Sequence, residues 1–410
     1  MVLSTYCGMD SQLFRENIIF FPWWINVGSV LRLVYCSFSI LLLITDVLHA
    51  PAGTFDYVFY KPNPLMQLFY LSLIIGGFTI FLIYGFELIP NPRLGAQHRV
   101  LAFFSLGVTL LTFFVASFAS PGYVTKENYE QLEIIYPYDN FIFVKRECTT
   151  CHTPRVARSK HCRMQNRCVE KYDHFCPWIN NTVGCFNFRY FLLFVFTTAA
   201  FLAYATYVFW QLIVFIIERD GLWNVKFLHP TTKQVVNADL FIIIQYLMTS
   251  QGPLVFMFVL CLVMALTVTL FFLFQLWLIL DGTTSNESTK WGLVKDFYQS
   301  KKWKAELEKR SKDFPEDETL LQEHQDSLDE RLTKHFPSKM PSNSYDRGSF
   351  WRNFKEVLFP HEFREQLYQQ NYGRVKRLSD QTSKAPQEVE DSQTHSNTKL
   401  VSKQKRKKGH

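Results

Sequence analysis

The stretch KHCRMQNRCVEKYDHFCPWINNTVGC, Lys160 to Cys185, carries four cysteines, two histidines and an aspartate in 26 residues. Thiolates and imidazoles at this density hold a metal ion or form a nucleophile with its base. Just upstream, ECTTCHTPRVARSKHC adds Cys148 and Cys151, a C-x2-C pair whose short turn lets two thiolates meet one Zn²⁺. Tetrahedral coordination needs two more ligands nearby, and His161 and Cys168 can supply them. Cys148, Cys151, His161 and Cys168 are therefore the expected zinc site; the alternative is a set of loosely spaced reduced thiols.

The rest of the chain sets where this chemistry happens. Of 410 residues, 48% are hydrophobic and 40 are Phe, crowded into the first 280 positions, which implies a membrane protein with a polar tail. Apolar runs at Val27–Leu48, Leu65–Phe86, Val100–Phe118, Tyr190–Ile217 and Pro253–Leu280 each approach the ~20 residues needed to cross a bilayer. The expected fold is an α-helical integral membrane protein with four to five transmembrane helices and a small cytosolic zinc-binding cysteine-rich domain. Five spans are expected; Arg32 makes the first the least secure, and no signal peptide with a cleavage site precedes it.

Charge gives the orientation. Ala119–Arg189 holds ten Lys/Arg against seven Asp/Glu, whereas Glu218–Asp239 holds three Lys/Arg, so the positive-inside rule puts the cysteine-rich stretch and the tail in the cytosol. Arg93 and Arg99 then fall on the opposite side, against the rule. Six of the nine cysteines lie between Cys148 and Cys185, and in a reducing compartment such a cluster means metal or catalysis rather than disulfides. Cys36 and Cys261, inside apolar runs, read as packing residues. A net charge of +7, concentrated at the membrane face and tail tip without a recognisable motif, argues against nucleic-acid binding.

The run Cys148–Phe191, with CTTC, ARSKHC, RCV, DHFCPWINN and VG..N, resembles the cysteine-rich domain of the DHHC family of protein S-acyltransferases. SPG after the third run resembles the family's Asp-Pro-Gly, and TTSNE after the last resembles its Thr-Thr-x-Glu with the Glu one place late. YDRGSFWRNFKEVL resembles its C-terminal aromatic-Asn element, with Asn353 as the bracing Asn or, alternatively, on a plain amphipathic helix. YPYD and TTSNESTKW point to the branch that includes a fungal SNARE-palmitoylating member and plant S-acyltransferases. Together these marks cover about residues 60–365.

The resemblance implies that Cys176 is the nucleophile, His174 its base and Asp173 the carboxylate that orients the imidazole. A thiol near pKa 8.5 is mostly protonated at neutral pH, and such a neighbour raises its thiolate fraction. It also implies a second zinc, through Cys162 and three positions that here hold Gln165, Phe175 and Thr182. An amide, a phenyl ring and a hydroxyl do not replace two thiolates and an imidazole, and Cys185 alone does not make up the number, so one Zn²⁺ is expected rather than two. Phe175, Val169, Trp178 and Ile179 are expected to fill the vacated space.

The implied reaction is transfer of a palmitoyl group from acyl-CoA to cytosolic or juxtamembrane cysteines of membrane proteins, through an S-acyl-cysteine intermediate. YFLLFVF begins fourteen residues after Cys176, which places the thiol at the membrane interface. Arg155, Arg158, Lys160 and Arg189 are expected to meet CoA phosphates or the charged heads of membrane lipid. A catalytically inactive membrane scaffold is the alternative; a RING-type ligase would need eight ligands. The domains run 1–118 (membrane helices), 119–189 (zinc and catalytic), 190–280 (membrane helices), 281–365 (tail elements) and 366–410 (basic tail). A helix is expected over Lys290–Arg331 and disorder over Asp380–Ser402. Lys407 and Lys408, fourth and third from the end, resemble a dilysine signal for the endoplasmic reticulum, with the Golgi as the other compartment; a lipid-binding polybasic tip is the alternative.

Overall fold

A computed structural model describes residues 18–20, 61–228, 235–313, 341–374 and 376–377. The run Val27–Leu48, the segment Asp380–Ser402 and the pair Lys407–Lys408 lie outside the described residues.

Among the described residues, four helices are long and apolar enough to cross a membrane. In chain order they are α1 (Leu65–Tyr84) and α2 (Gln97–Phe118), then, after a short α3 (Tyr129–Ile135), α4 (Phe188–Arg219), and, after an 11-residue α5 (Leu240–Ser250), α6 (Gly252–Leu280). Uninterrupted apolar sequence makes each a helix, because only internal hydrogen bonds satisfy a backbone placed in hydrocarbon. Pro253 is tolerated because it stands in the first turn of α6, where its missing N–H has no partner to lose. The boundaries match four expected runs to within about three residues. Phe118 (80% exposed) and Leu270 (67%) show that apolar side chains face outward, as lipid requires and water forbids.

At 32 and 29 residues, α4 and α6 are roughly 48 and 44 Å long, beyond the ~30 Å of a hydrocarbon core, so both project past it and carry polar structure at their ends. At one end, Leu94, Leu212, Ile216, Leu222, Ile243 and Leu254 form a fully buried core. There Arg93 Nε donates to Glu218 Oε2 at 2.8 Å and the Arg99 guanidinium lies 4.4 Å above the Phe86 ring. Both arginines are thus partnered. Strand β1 (Ile18–Phe20) pairs in parallel there with Lys226–Leu228.

The cysteine-rich segment between α2 and α4 forms the other end. It contains two small antiparallel hairpins, β2–β3 (Lys160–Cys162 with Arg167–Val169) and β4–β5 (His174–Cys176 with Asn181–Val183). Two buried amides tie it to the bundle: Asn181 Nδ2 donates to the carbonyls of Ala116 and Ala119, and Asn187 Nδ2 to those of Ala119 and Thr182. Gly184 cannot be replaced cheaply, since a Cβ there would stand 2.6 Å from Val169 Cγ1 and 2.8 Å from the Pro121 carbonyl.

After α6 the chain returns to this end as α7 (Ser285–Asp313), α8 (Phe350–Leu358) and a helix over 360–374. α7 starts five residues before the expected helix, at the TTSNE element; residues 314–340 lie outside the described ones.

Candidate active site

The four expected metal ligands come together. Hairpin β2–β3 places His161 directly opposite Cys168, and the Cys148–Cys151 turn is closed by the His152 N–H on the Cys148 carbonyl at 2.9 Å. His161 Nδ1 lies 3.6, 3.3 and 3.9 Å from the sulfurs of Cys148, Cys151 and Cys168, and all four ligand atoms fall within 4.8 Å of one another. Roughly 3.5–3.8 Å is the edge of a tetrahedron built on ordinary Zn–S and Zn–N bonds, so the donor set fits Zn²⁺. Burial raises the Cys148 thiol pKa, but the backbone amides of Cys151 and Thr150 outweigh it and bring it down to about 7.

Asp173, His174 and Cys176 sit on or beside β4. Side chains alternate along a strand, so His174 and Cys176 share one face while Phe175 takes the other. His174 Nδ1 is 2.6 Å from Asp173 Oδ2, and the ring edge packs on Phe191. Asp173, 2% exposed, also accepts from the Ser285 N–H at 2.7 Å and from the Ser285 hydroxyl at 2.8 Å. Burial opposes charge on His174, but the Asp173 carboxylate and Cys176 sulfur prevail and raise its pKa to about 10. A carboxylate-held imidazole beside a thiol is the arrangement of a base with its nucleophile.

Ser285 was not among the expected residues. The Thr284 hydroxyl donates to the Tyr172 carbonyl and the Thr284 N–H to Glu287, so the element that grips the site is Thr284-Ser285-Asn286-Glu287. The Thr-Thr-x-Glu spacing is therefore kept, with Ser at the second position, and the Glu is not displaced as expected. The signal was in TTSNE, hidden by the extra Thr283.

Glu287 receives Arg158 Nε and Nη2 at 2.7 and 2.6 Å, with both side chains buried. Arg158 is thus a structural residue and does not meet a soluble phosphate. Arg155 Nη2 lies 3.9 Å from Cys148 Sγ, and Arg189 Nη1 donates to the Leu358 carbonyl. Of the four expected phosphate ligands, Lys160 alone is exposed, with Nζ on Asn286 Oδ1. Asn353 Nδ2 donates to Asp346 Oδ1 and to the Leu280 carbonyl, tying α8 to the end of α6.

The second-metal positions hold no replacement ligand set. Thr182 donates to Cys162 Sγ at 3.0 Å and lies opposite Phe175 in the β4–β5 register, while Gln165 bridges the Tyr123 hydroxyl and Asn181 Oδ1. Thr182 and Gln165 are thus hydrogen-bonded, with Phe175 beside Thr182 in the register and Val169 fully buried. Trp178 is 40% exposed and stacks on Phe69, and Ile179 packs beside Cys176 and Phe113. A hydroxyl and an amide satisfy buried polar neighbours that a phenyl ring would strand.

A cavity of about 590 Å³ runs from His174, Cys176 and Trp178 between the membrane helices, past Tyr70, Phe191 and Phe194 to Phe81 and Phe209. Its walls are almost wholly apolar side chains, and Cys176 and His174 are among the residues that line it.

The family of DHHC palmitoyltransferases matches residues 142–292. The chain is 32% identical to palmitoyltransferase swf1 of Schizosaccharomyces pombe, across 75% of this chain and 79% of the relative. It is 33% identical to palmitoyltransferase ZDHHC4 of Mus musculus, across 46% of this chain and 55% of that one, and 27% identical to palmitoyltransferase SWF1 of Yarrowia lipolytica, across 71% and 79%.

Proposed function

The chain belongs to the DHHC palmitoyltransferase family and is a protein S-palmitoyltransferase, and on that premise we propose that Cys176 is its nucleophile, with His174 as base and Asp173 as the orienting carboxylate. The observation that carries this reading is that the Cys176–His174 face of β4 opens into the apolar cavity. The alternative of an inactive scaffold has no support: a scaffold needs neither a carboxylate-bound imidazole nor a cavity at the thiol.

The co-substrate is palmitoyl-CoA. Its chain enters the cavity, where each methylene removed from water contributes ~0.8 kcal/mol, and the polar CoA stays outside. His174 takes the proton of Cys176, and the thiolate attacks the thioester carbonyl. The C–S bond to CoA breaks, and the CoA thiolate leaves with the proton from His174. A cysteine of the substrate protein then attacks the acyl-enzyme, His174 accepts its proton, and Cys176 is released as thiol. Asp173, fixed by Ser285, stabilises the imidazolium formed in both steps.

Cys148, Cys151, His161 and Cys168 would hold one Zn²⁺, whose chemistry is to close the fold of this segment. One zinc is proposed because, among the described residues, they form the one such four-ligand group. The helices support an integral membrane protein; the charge asymmetry supports a cytosolic active site, with the endoplasmic reticulum or Golgi as compartment. Purified protein given labelled palmitoyl-CoA should take up hydroxylamine-labile label and pass it to an acceptor cysteine; absence of label would contradict the reading.

A further inference from the structure

A buried charge cluster lies behind Asp173. Glu356 of α8, 6% exposed, receives Lys171 Nζ at 2.7 Å and Arg347 Nε at 3.2 Å, with Arg158 Nη1 at 3.6 Å. Arg158 and Lys171 line the same cavity of about 30 Å³ as Asp173, a space the size of one water. Two cations thus stand at the back of the carboxylate, yet its hydrogen bonds go to His174 and Ser285. Lys171 is held with φ +44°, a left-handed backbone that costs energy for a non-glycine residue and fixes where its side chain starts.

Resting on the reading of Asp173–His174–Cys176 as the catalytic group, we propose that Glu356 is a positioning residue for the reaction: it engages Lys171 and Arg158, and so leaves the Asp173 carboxylate to His174. Without that counter-charge a partly buried ammonium turns to another carboxylate, and Asp173 lines the same small cavity. The neighbours of the Asp173–His174 pair are then Cys176 and Tyr172 from its own segment, Lys171 and Arg158, Glu287 and Ser285 of α7, Glu356 of α8 and the thiol of Cys185. α4 and α6 present Phe188, Phe191 and Ile279, which carry no charge. Neighbouring cations hold Glu356 itself down, to about 2 despite its burial, so it is ionised throughout the working range.

The test is the pH dependence of acyl-enzyme formation by full-length protein in lipid nanodiscs, with palmitoyl-CoA as probe. The alkaline limb reports loss of the His174 proton. In Glu356→Gln, Lys171 turns to Asp173, the imidazolium loses support, and the limb moves about one pH unit down, a roughly tenfold change in the protonation equilibrium. Glu356→Gln with Lys171→Met should bring it back to within about twofold of wild type. A purely structural role would lower yield or rate without moving the limb, and an unmoved limb, or a double variant no better than the single, overturns the assignment. Should Glu356→Gln not fold, Lys171→Met alone decides: the limb stays within about twofold of wild type if Glu356 already holds Lys171 off Asp173, and a limb raised by about a full pH unit, showing that Lys171 draws on Asp173 in the wild type, overturns the proposal. A wild type that forms no acyl-enzyme at all overturns the enzyme reading, and this assignment with it.

Discussion

His174 and Asp173 show how few atoms the proposed chemistry requires. A 2.6 Å contact to a buried carboxylate raises the imidazole far above its ordinary value, and Ser285 fixes that carboxylate from the opposite side. The sign for stability follows. The folded pKa, about 10, exceeds the ~6.5 of an unfolded chain, so the contribution of the imidazolium is complete below ~6.5 and is lost as pH rises towards about 10. Thermal unfolding across that window should show stability declining with pH in the wild type, and His174→Ala should flatten the decline. Ser285→Ala should slow acyl-enzyme formation by roughly tenfold while leaving zinc content unchanged, since it loosens Asp173 but touches no metal ligand. Asp173, His174 and Cys176 were picked out by the resemblance of DHFC to the family's Asp-His-x-Cys, and the structure sets Asp173 against His174 beside Cys176. Ser285 was not picked out, because its partner lies 112 residues away and only the fold brings α7 to β4.

The two hairpins and the helix ends that clasp them carry the next level. Hairpin β2–β3 completes the four-ligand set, whereas around β4–β5 Thr182 bonds Cys162 and Gln165 bonds Asn181. Elemental analysis should therefore find one zinc per chain; two would mean that other ligands rebuild the second site. Cys148→Ser should unfold the segment, because structural zinc supplies ~10 kcal/mol or more, while Cys162→Ser should cost about 1 kcal/mol, the worth of one hydrogen bond. Arg158→Met leaves Glu287 and part of Glu356 buried without their partner, which should cost ~3–5 kcal/mol in denaturant unfolding. Arg158 illustrates a limit of sequence reading: a basic residue beside a catalytic motif suggests phosphate, and only the position of Glu287 shows it to be an internal tie. The Thr182–Cys162 hydrogen bond was likewise hidden, because it depends on how the two hairpins meet.

At the scale of the molecule, four helices among the described residues enclose an apolar cavity that Cys176 helps to line, and in the proposed reaction the acyl chain occupies it. The helices were legible, since hydropathy depends on composition rather than on partners. The cavity was not, because it is the space left between residues drawn from α1, α2, α4 and α6. The address follows from the polar ends. If Lys407 and Lys408 are read by position, adding a few neutral residues after His410 should move the protein out of the endoplasmic reticulum; an unchanged pattern would favour charge-based lipid binding, worth about 1 kcal/mol per basic residue. The most direct test of the central claim is to locate the acyl group itself. After brief reaction with palmitoyl-CoA, peptide mass spectrometry should find one thioester-linked palmitoyl group on Cys176 in the wild type and none in Cys176→Ala. A thioester on Cys185 or Cys261 instead, or one that persists in Cys176→Ala, would contradict the account.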